Sequence, residues 1–144
     1  MSRRLKDIGD WGEEQACAFL RRQGFQIIDR NFFTTVGEID VIAKKGDDFY
    51  LRRRREKNIS GCFSEPRSKY CDIYFIEVKT REAGDLANDS AITHAKKFKF
   101  EKTARRYCYE KGIDDNFGLI FAGLIVSYEK VAKMVNFRLA VWRD

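Results

Sequence analysis

Two short stretches hold the residue types that metal-assisted hydrolysis uses: Gly37-Glu38-Ile39-Asp40 and Glu77-Val78-Lys79. Strand side chains alternate, so Glu77 and Lys79 point to one face and Ile76 and Val78 to the other. A carboxylate and an ammonium two residues apart in the apolar run Asp72 to Thr80 are costly to bury without a partner or a task. If the two stretches pair as antiparallel strands, Asp40 approaches Glu77. Two carboxylates held together repel each other and favour a divalent cation between them. A ligand set made only of oxygens suits a hard ion, Mg²⁺ or Mn²⁺. Lys79 then stands ready to hold a phosphoryl oxygen or an attacking water. Glu13, at the rim of the first helical segment, reaches the same ion directly or through water. The chemistry is that of a phosphodiesterase, with charge developing on phosphoryl oxygens and neutralised by cation and lysine. The same residues also fit an ordinary cross-strand ion-pair cluster on a solvated sheet face. Glu38, on the face of Asp40, serves as partner in either case, and spacing alone does not separate the two.

Such residues need a scaffold, and the pattern of the chain supplies one. Lys6 to Gln23 reads as a helix with Ile8, Gly12, Ala16, Phe19 and Leu20 on one face. Glu13 lies at the edge of that face, Glu14 points well away from it, and Gly24 ends the helix. Phe25 to Phe33 and Val36 to Lys44, rich in β-branched and aromatic residues, read as a hairpin about Thr34-Thr35. Asp72 to Thr80 is a third strand. Between them, Asp48 to Arg53 reads as an extended arm, and Lys57 to Lys69, with the single Pro66, as a loop. A second helix is expected from Ser90 or Thr93 to Lys111, stopped by Gly112, with Phe98, Ala104, Tyr107 and Cys108 as part of its apolar face. Phe117 to Ser127 and Ala132 to Trp142 read as a second hairpin about Glu129-Lys130. The order α-β-β-β-α-β-β describes a mixed α/β fold of about five strands and two main helices.

At 144 residues, with 44% hydrophobic and 14% aromatic content, the chain has material for one domain core and is not disordered by composition. The apolar run Gly118 to Tyr128 is too short to span a bilayer, and the charged start Met1 to Asp7 lacks a signal peptide's apolar region. A soluble cytoplasmic domain without membrane association is the expectation. The formal charge is +6, concentrated in Arg52, Arg53, Arg54 and Arg55 and in Lys96, Lys97, Lys99, Lys102, Arg105 and Arg106. Such stripes suit a phosphate backbone, whose condensed counterions are released on binding, although a solvated helix face and a charged loop have the same composition. The four cysteines, Cys17, Cys62, Cys71 and Cys108, form no Cys-x-x-Cys pair, and His94 is the single histidine, so a zinc site is not expected. Cys17 and Cys108 read as small core residues.

Gly12-Glu13, Ala16, Leu20, Gly24, Asn31, Gly37-Glu38-Ile39-Asp40-Val41-Ile42-Ala43 and Phe75-Ile76-Glu77-Val78-Lys79-Thr80-Arg81 together resemble the YraN-like family of predicted endonucleases. The resemblance continues through Thr93, Lys96, Ala104 and Tyr107 and covers most of residues 9 to 112. That family is similar to Holliday-junction resolvases and to the PD-(D/E)xK, restriction-endonuclease-like group. The resemblance implies a restriction-endonuclease-like sheet, with Asp40 and Glu77 as metal ligands and Lys79 as the catalytic lysine. Glu13 is implied as the helix-borne acid, Lys96 as a phosphate contact, and Thr80 and Arg81 as neighbours of the site. The expected partner is a branched or structured nucleic acid, with DNA the expected form, cut by a homodimer. A non-cutting nucleic-acid-binding module is the alternative. The chain departs from the family in two places. An insertion at about 51–71 carries the four arginines, so that 36 residues separate Asp40 from Glu77. The family's Arg-Phe-Asp stretch stands here as Ile120-Phe121-Ala122.

Overall fold

The computed structural model describes residues 3–46, 71–84, 94–113 and 118–142. The elements are α1 (Arg3–Arg22), β1 (Gln26–Phe33), β2 (Glu38–Gly46), β3 (Cys71–Glu82), α2 (His94–Lys111), β4 (Gly118–Glu129) and β5 (Met134–Val141). The strands form one mixed sheet in the order β1-β2-β3-β4-β5. β3 and β4 are parallel, with α2 between them in sequence, and every other pairing is antiparallel. The expected element order and mixed α/β class are therefore realised. Strand limits shift: β3 and β4 each run two residues beyond the expected Thr80 and Ser127, and β5 starts at Met134.

Each helix covers one face of the sheet, and the strand alternation decides which residues meet it. Against α1 lie Val41, Ala43, Ile76, Ala122, Leu124 and Val126, packed with Ala16, Cys17, Leu20 and Phe25. Against α2 lie Ile39, Ile42, Ile73 and Phe75, packed with Phe100, Ala104 and Tyr107. Phe75 stacks on Phe121 with ring centroids 5.7 Å apart, and its edge meets Tyr107 at 6.0 Å. Both helices end as the glycines require. Gly24 (φ +90°) and Gly112 (φ +64°) take the left-handed turn. The following amides, of Phe25 and Ile113, then donate back to the carbonyls of Leu20 and Cys108, both at 2.9 Å.

One expected side-chain placement is corrected. Phe98 is not part of the core face of α2; it is 61% exposed, because Phe100 one half-turn away takes the buried position. Glu14 points away from the apolar face of α1 as expected and, at the surface, its carboxylate pairs with Arg30 of β1 at 2.7 Å. Cys17 is wholly buried, and burial pushes its thiol up, leaving it a packing residue. Cys62 and the Cys71 side chain, with the insertion and its Arg52 to Arg55, lie outside the described residues, as do Ser90 and Thr93. Among the described residues no helix is long and apolar enough to cross a membrane.

Candidate functional site

The sheet splits where the two motifs meet. The β2–β3 ladder runs from Gly46 opposite Cys71 to Val41 opposite Ile76 and stops there. Beyond that point β2 pairs only with β1, down to Glu38 opposite Phe33. β3 continues with β4 alone, out to Glu82 opposite Tyr128. Asp40 and Glu77, the next residues on each side, stand at the crotch of this fork. The Asp40 carboxylate Oδ2 accepts the amide hydrogen of Val78 at 2.8 Å, filling the place a β2 carbonyl would take in a continued ladder.

Alternation also slips at Asp40. Val41 packs on the α1 side, whereas both Ile39 and Ile42 pack on the α2 side. The neighbouring strand is irregular at the same place. Asn31 adopts φ +53°, a left-handed conformation that asparagine tolerates, and the β1–β2 pairs on either side of it are Arg30 with Val41 and Phe32 with Ile39. Asp40 thus turns into the fork instead of following the pleat. On β3 the pleat is regular: Val78 packs on the α1 side, so Glu77 and Lys79 share the α2 side, as their spacing requires.

The electrostatics follow from this crowding. Burial pushes the Asp40 carboxyl up to about 7; the Val78 amide opposes the shift, and the negative charges of Glu13, Glu38 and Glu77 add to it. Glu13, on α1, is also raised, chiefly by burial, with Arg30 and a hydrogen bond from the Asn31 side chain pulling the other way. Asp40 thus feels the negative charge of three carboxylates, one each from α1, β2 and β3. Glu77 is held by Lys96 of α2, Nζ to Oε1 at 2.7 Å. This pair links the first turn of α2 to β3 beside the fork. Among the described residues, no three His, Cys, Asp or Glu side chains gather into a ready metal-binding group.

Two glycines of the motifs set how closely the elements approach. A methyl at Gly12 would overlap the Thr80 hydroxyl, so its absence lets α1 lie against the end of β3 and brings Glu13 to the fork. A Cβ at Gly37 would stand 3.0 Å from Thr103 Oγ1, so the β1–β2 loop touches α2 only because Gly37 has none. Arg81 donates from Nε to Ser127 Oγ at 3.3 Å on the neighbouring strand. Lys97 lies on α2 beside Lys96 but in a half-buried position.

The structure thus places Asp40 within electrostatic reach of Glu13 and Glu77, pairs Glu77 with Lys96, keeps Lys79 on the face of Glu77, and sets Thr80 against α1. The four-arginine insertion joins the hairpin at Gly46 and Cys71, the end away from the fork. Arg30 and Asn31 enter the site unannounced. Asn31 belongs to the motif set and is a residue type that favours left-handed backbone, which was its one available signal; Arg30 had none. Where the family carries Arg-Phe-Asp, this chain has core: Phe121 stacks on Phe75 and Ala122 is wholly buried.

Comparison with known proteins gives the same family from several directions. Residues 12–136 match the sequence profile of the uncharacterised protein family UPF0102. A UPF0102 protein of Clostridium botulinum (strain Loch Maree / Type A3) is 37% identical over 113 residues, 78% of this chain and 72% of the relative. A UPF0102 protein of Helicobacter pylori (strain J99) is 34% identical over 136 residues, 94% of this chain and 95% of the relative.

Proposed function

The chain belongs to the uncharacterised protein family UPF0102, the YraN-like family its motifs resemble, and from the fork we propose that it is a divalent-metal-dependent endonuclease. Its substrate is branched or structured nucleic acid, with DNA the expected form. The observation that carries this reading is the Asp40 carboxyl, turned into the place where β2 and β3 part and bonded there to the Val78 amide, with burial and the negative charges of Glu13, Glu38 and Glu77 all opposing its ionisation. A half-buried acid beside like charges costs the fold stability, and a bound cation would relieve that cost.

The donor set fits Mg²⁺ or Mn²⁺. Mg²⁺ keeps several waters and takes only one or two protein carboxylates, so Asp40 and Glu77 suffice without a third ligand at hand. Bound there by Asp40 and Glu77, such an ion would lower the pKa of a water and supply positive charge to the phosphoryl oxygens. The chain's own residues do the rest. Asp40 spends one oxygen on the Val78 amide, which fixes its orientation and leaves the other for the ion. Glu13, steadied by Asn31, faces the same space from α1 and holds an outer water. Lys79 orients the attacking water or a non-bridging phosphate oxygen. Lys96, now paired with Glu77, would be able to hold a phosphate were Glu77 engaged by a cation. Two chains acting as a dimer would present two forks to two strands.

One observation favours the alternative, a nucleic-acid-binding module that does not cut: Glu77 is already satisfied by Lys96. The experiment that separates them is incubation with labelled duplex, single strand, flap, four-way junction and structured RNA, with Mg²⁺, Mn²⁺ or EDTA. Cutting of one class in metal and none in EDTA supports the nuclease. Retention of substrate with no product in either metal supports the module.

A further inference from the structure

The helix α2 departs from the usual division into one apolar and one polar face. Its core side is formed by Phe100, Thr103, Ala104 and Tyr107, all buried. At 100° per residue, Phe98, Lys102, Arg105 and Tyr109 fall within about 60° of one another on the opposite side. All four are exposed, Phe98 by 61% and Tyr109 by 83%. Large aromatic rings on the outermost line of a helix bury nothing in the fold, and here they flank two cations. Lys102 Nζ sits 5.4 Å from the centre of the Phe98 ring, which braces the ring against the helix.

Charge says what this line receives. His94–Lys111 holds seven Lys or Arg against two Glu, Glu101 and Glu110, a net +5. The whole chain carries +6. The partner is therefore an anion, and one with flat apolar faces to set against Phe98 and Tyr109. A continuous duplex offers phosphates, but its bases are stacked on each other. A single strand offers both phosphates and free base faces. The stripe starts two residues after Lys96, which touches Glu77 in the fork, and runs about 16 Å along the helix at 1.5 Å per residue.

We propose that the outer stripe Phe98-Lys102-Arg105-Tyr109 binds a single-stranded segment of nucleic acid, its bases stacking on Phe98 and Tyr109 and its phosphates held by Lys102 and Arg105. This rests on the nucleic-acid reading of the fork and deepens it. The substrate class becomes a structured nucleic acid with an unpaired segment, such as a flap or an open junction arm.

The test is fluorescence anisotropy in EDTA, so that binding is read without cutting. The probes are a labelled oligothymidylate of about 15 nucleotides and a duplex of the same length. All four side chains are exposed, so their alanine variants are expected to fold, with circular dichroism as the check. Phe98→Ala and Tyr109→Ala should each weaken single-strand binding about tenfold or more and leave the duplex within about twofold. Lys102→Ala and Arg105→Ala should each flatten the salt dependence of single-strand binding by roughly 0.7 in log–log slope. Single-strand affinity unchanged in both aromatic variants would overturn the proposal. So would equal losses on single strand and duplex, which would mark a surface recognised by charge alone. A wild-type dimer in sedimentation that Tyr109→Ala dissolves, with single-strand affinity untouched, would assign the stripe to self-association instead. The two readings fail separately: metal-dependent cutting without single-strand affinity overturns the stripe, and single-strand affinity without cutting overturns the nuclease.

Discussion

The Val78 amide donates to the Asp40 carboxylate across 2.8 Å, just beyond the last β2–β3 ladder pair, Val41 with Ile76. One bond therefore serves two ends. It satisfies a strand amide that would otherwise open onto the fork, and it holds the most buried acid of the site in a fixed orientation. β3 presents Glu77 and Lys79 on either side of that amide. The centre is thus built on a break in the sheet, supported by Asn31 on one side and by the Gly12–Thr80 approach on the other.

The first prediction concerns pH. An acid whose pKa is raised in the folded chain binds its proton more tightly there than when unfolded. Between the ordinary value of 3.8 and about 7 the folded chain keeps a proton at Asp40 that the unfolded chain has lost. Stability from this group is therefore largest at low pH and falls as pH rises through that window, by up to about 4 kcal/mol. Asp40→Asn, which still offers an oxygen to Val78, should remove the decline. Urea denaturation from pH 4 to 8 should find the two proteins similar at pH 4 and the variant more stable at pH 8. Equal pH slopes would refute the assignment.

Cation binding should show the opposite trend, because a carboxyl must be ionised to hold a metal. Mn²⁺ should raise the melting temperature of the wild type more at pH 8 than at pH 5.5. Asp40→Asn and Glu77→Gln should abolish the shift at both. A shift that survives in both variants would place the ion elsewhere.

Lys96 should work against the cation and for the nucleic acid. In the free protein it occupies Glu77, and the pair is exposed enough to be worth only about 0.2–1 kcal/mol. Lys96→Met should therefore tighten Mn²⁺ by a few-fold in calorimetry and weaken DNA binding measured separately. Loss of both affinities would mean that Lys96 holds the site together and does not compete for it.

Gly12 should tolerate no side chain while Thr80 faces it. Gly12→Ala is expected to cost about 1–3 kcal/mol through overpacking. Combining it with Thr80→Gly, which clears the overlap, should recover part of that loss. Urea unfolding of the single and double variants reads this directly; strict additivity would show that the two residues do not meet.

Much of this arrangement is legible in the residues themselves. Glu77 and Lys79 share a face because the strand period is two, and Gly24 and Gly112 mark helix ends because left-handed turns favour glycine. What was not legible depends on tertiary partners. Glu14 meets Arg30, and Lys96 meets Glu77, across contacts that sequence spacing does not encode. The slip at Asp40 coincides with the left-handed backbone of Asn31 on another strand. Phe98 was expected in the core because it is phenylalanine; Phe100 fills that place, and the periodicity of a helix with aromatics on two sides gives no means of choosing between them.

The most direct test of the metal-dependent fork is cleavage of the best-cut substrate of the panel by the wild type, Asp40→Asn and Lys79→Ala, each in Mg²⁺, Mn²⁺ and EDTA. The account predicts cutting by the wild type in metal only, and a fall of at least about 100-fold in both variants with folding and DNA affinity retained. Undiminished cutting by either folded variant, or wild-type cutting that persists in EDTA, would contradict it.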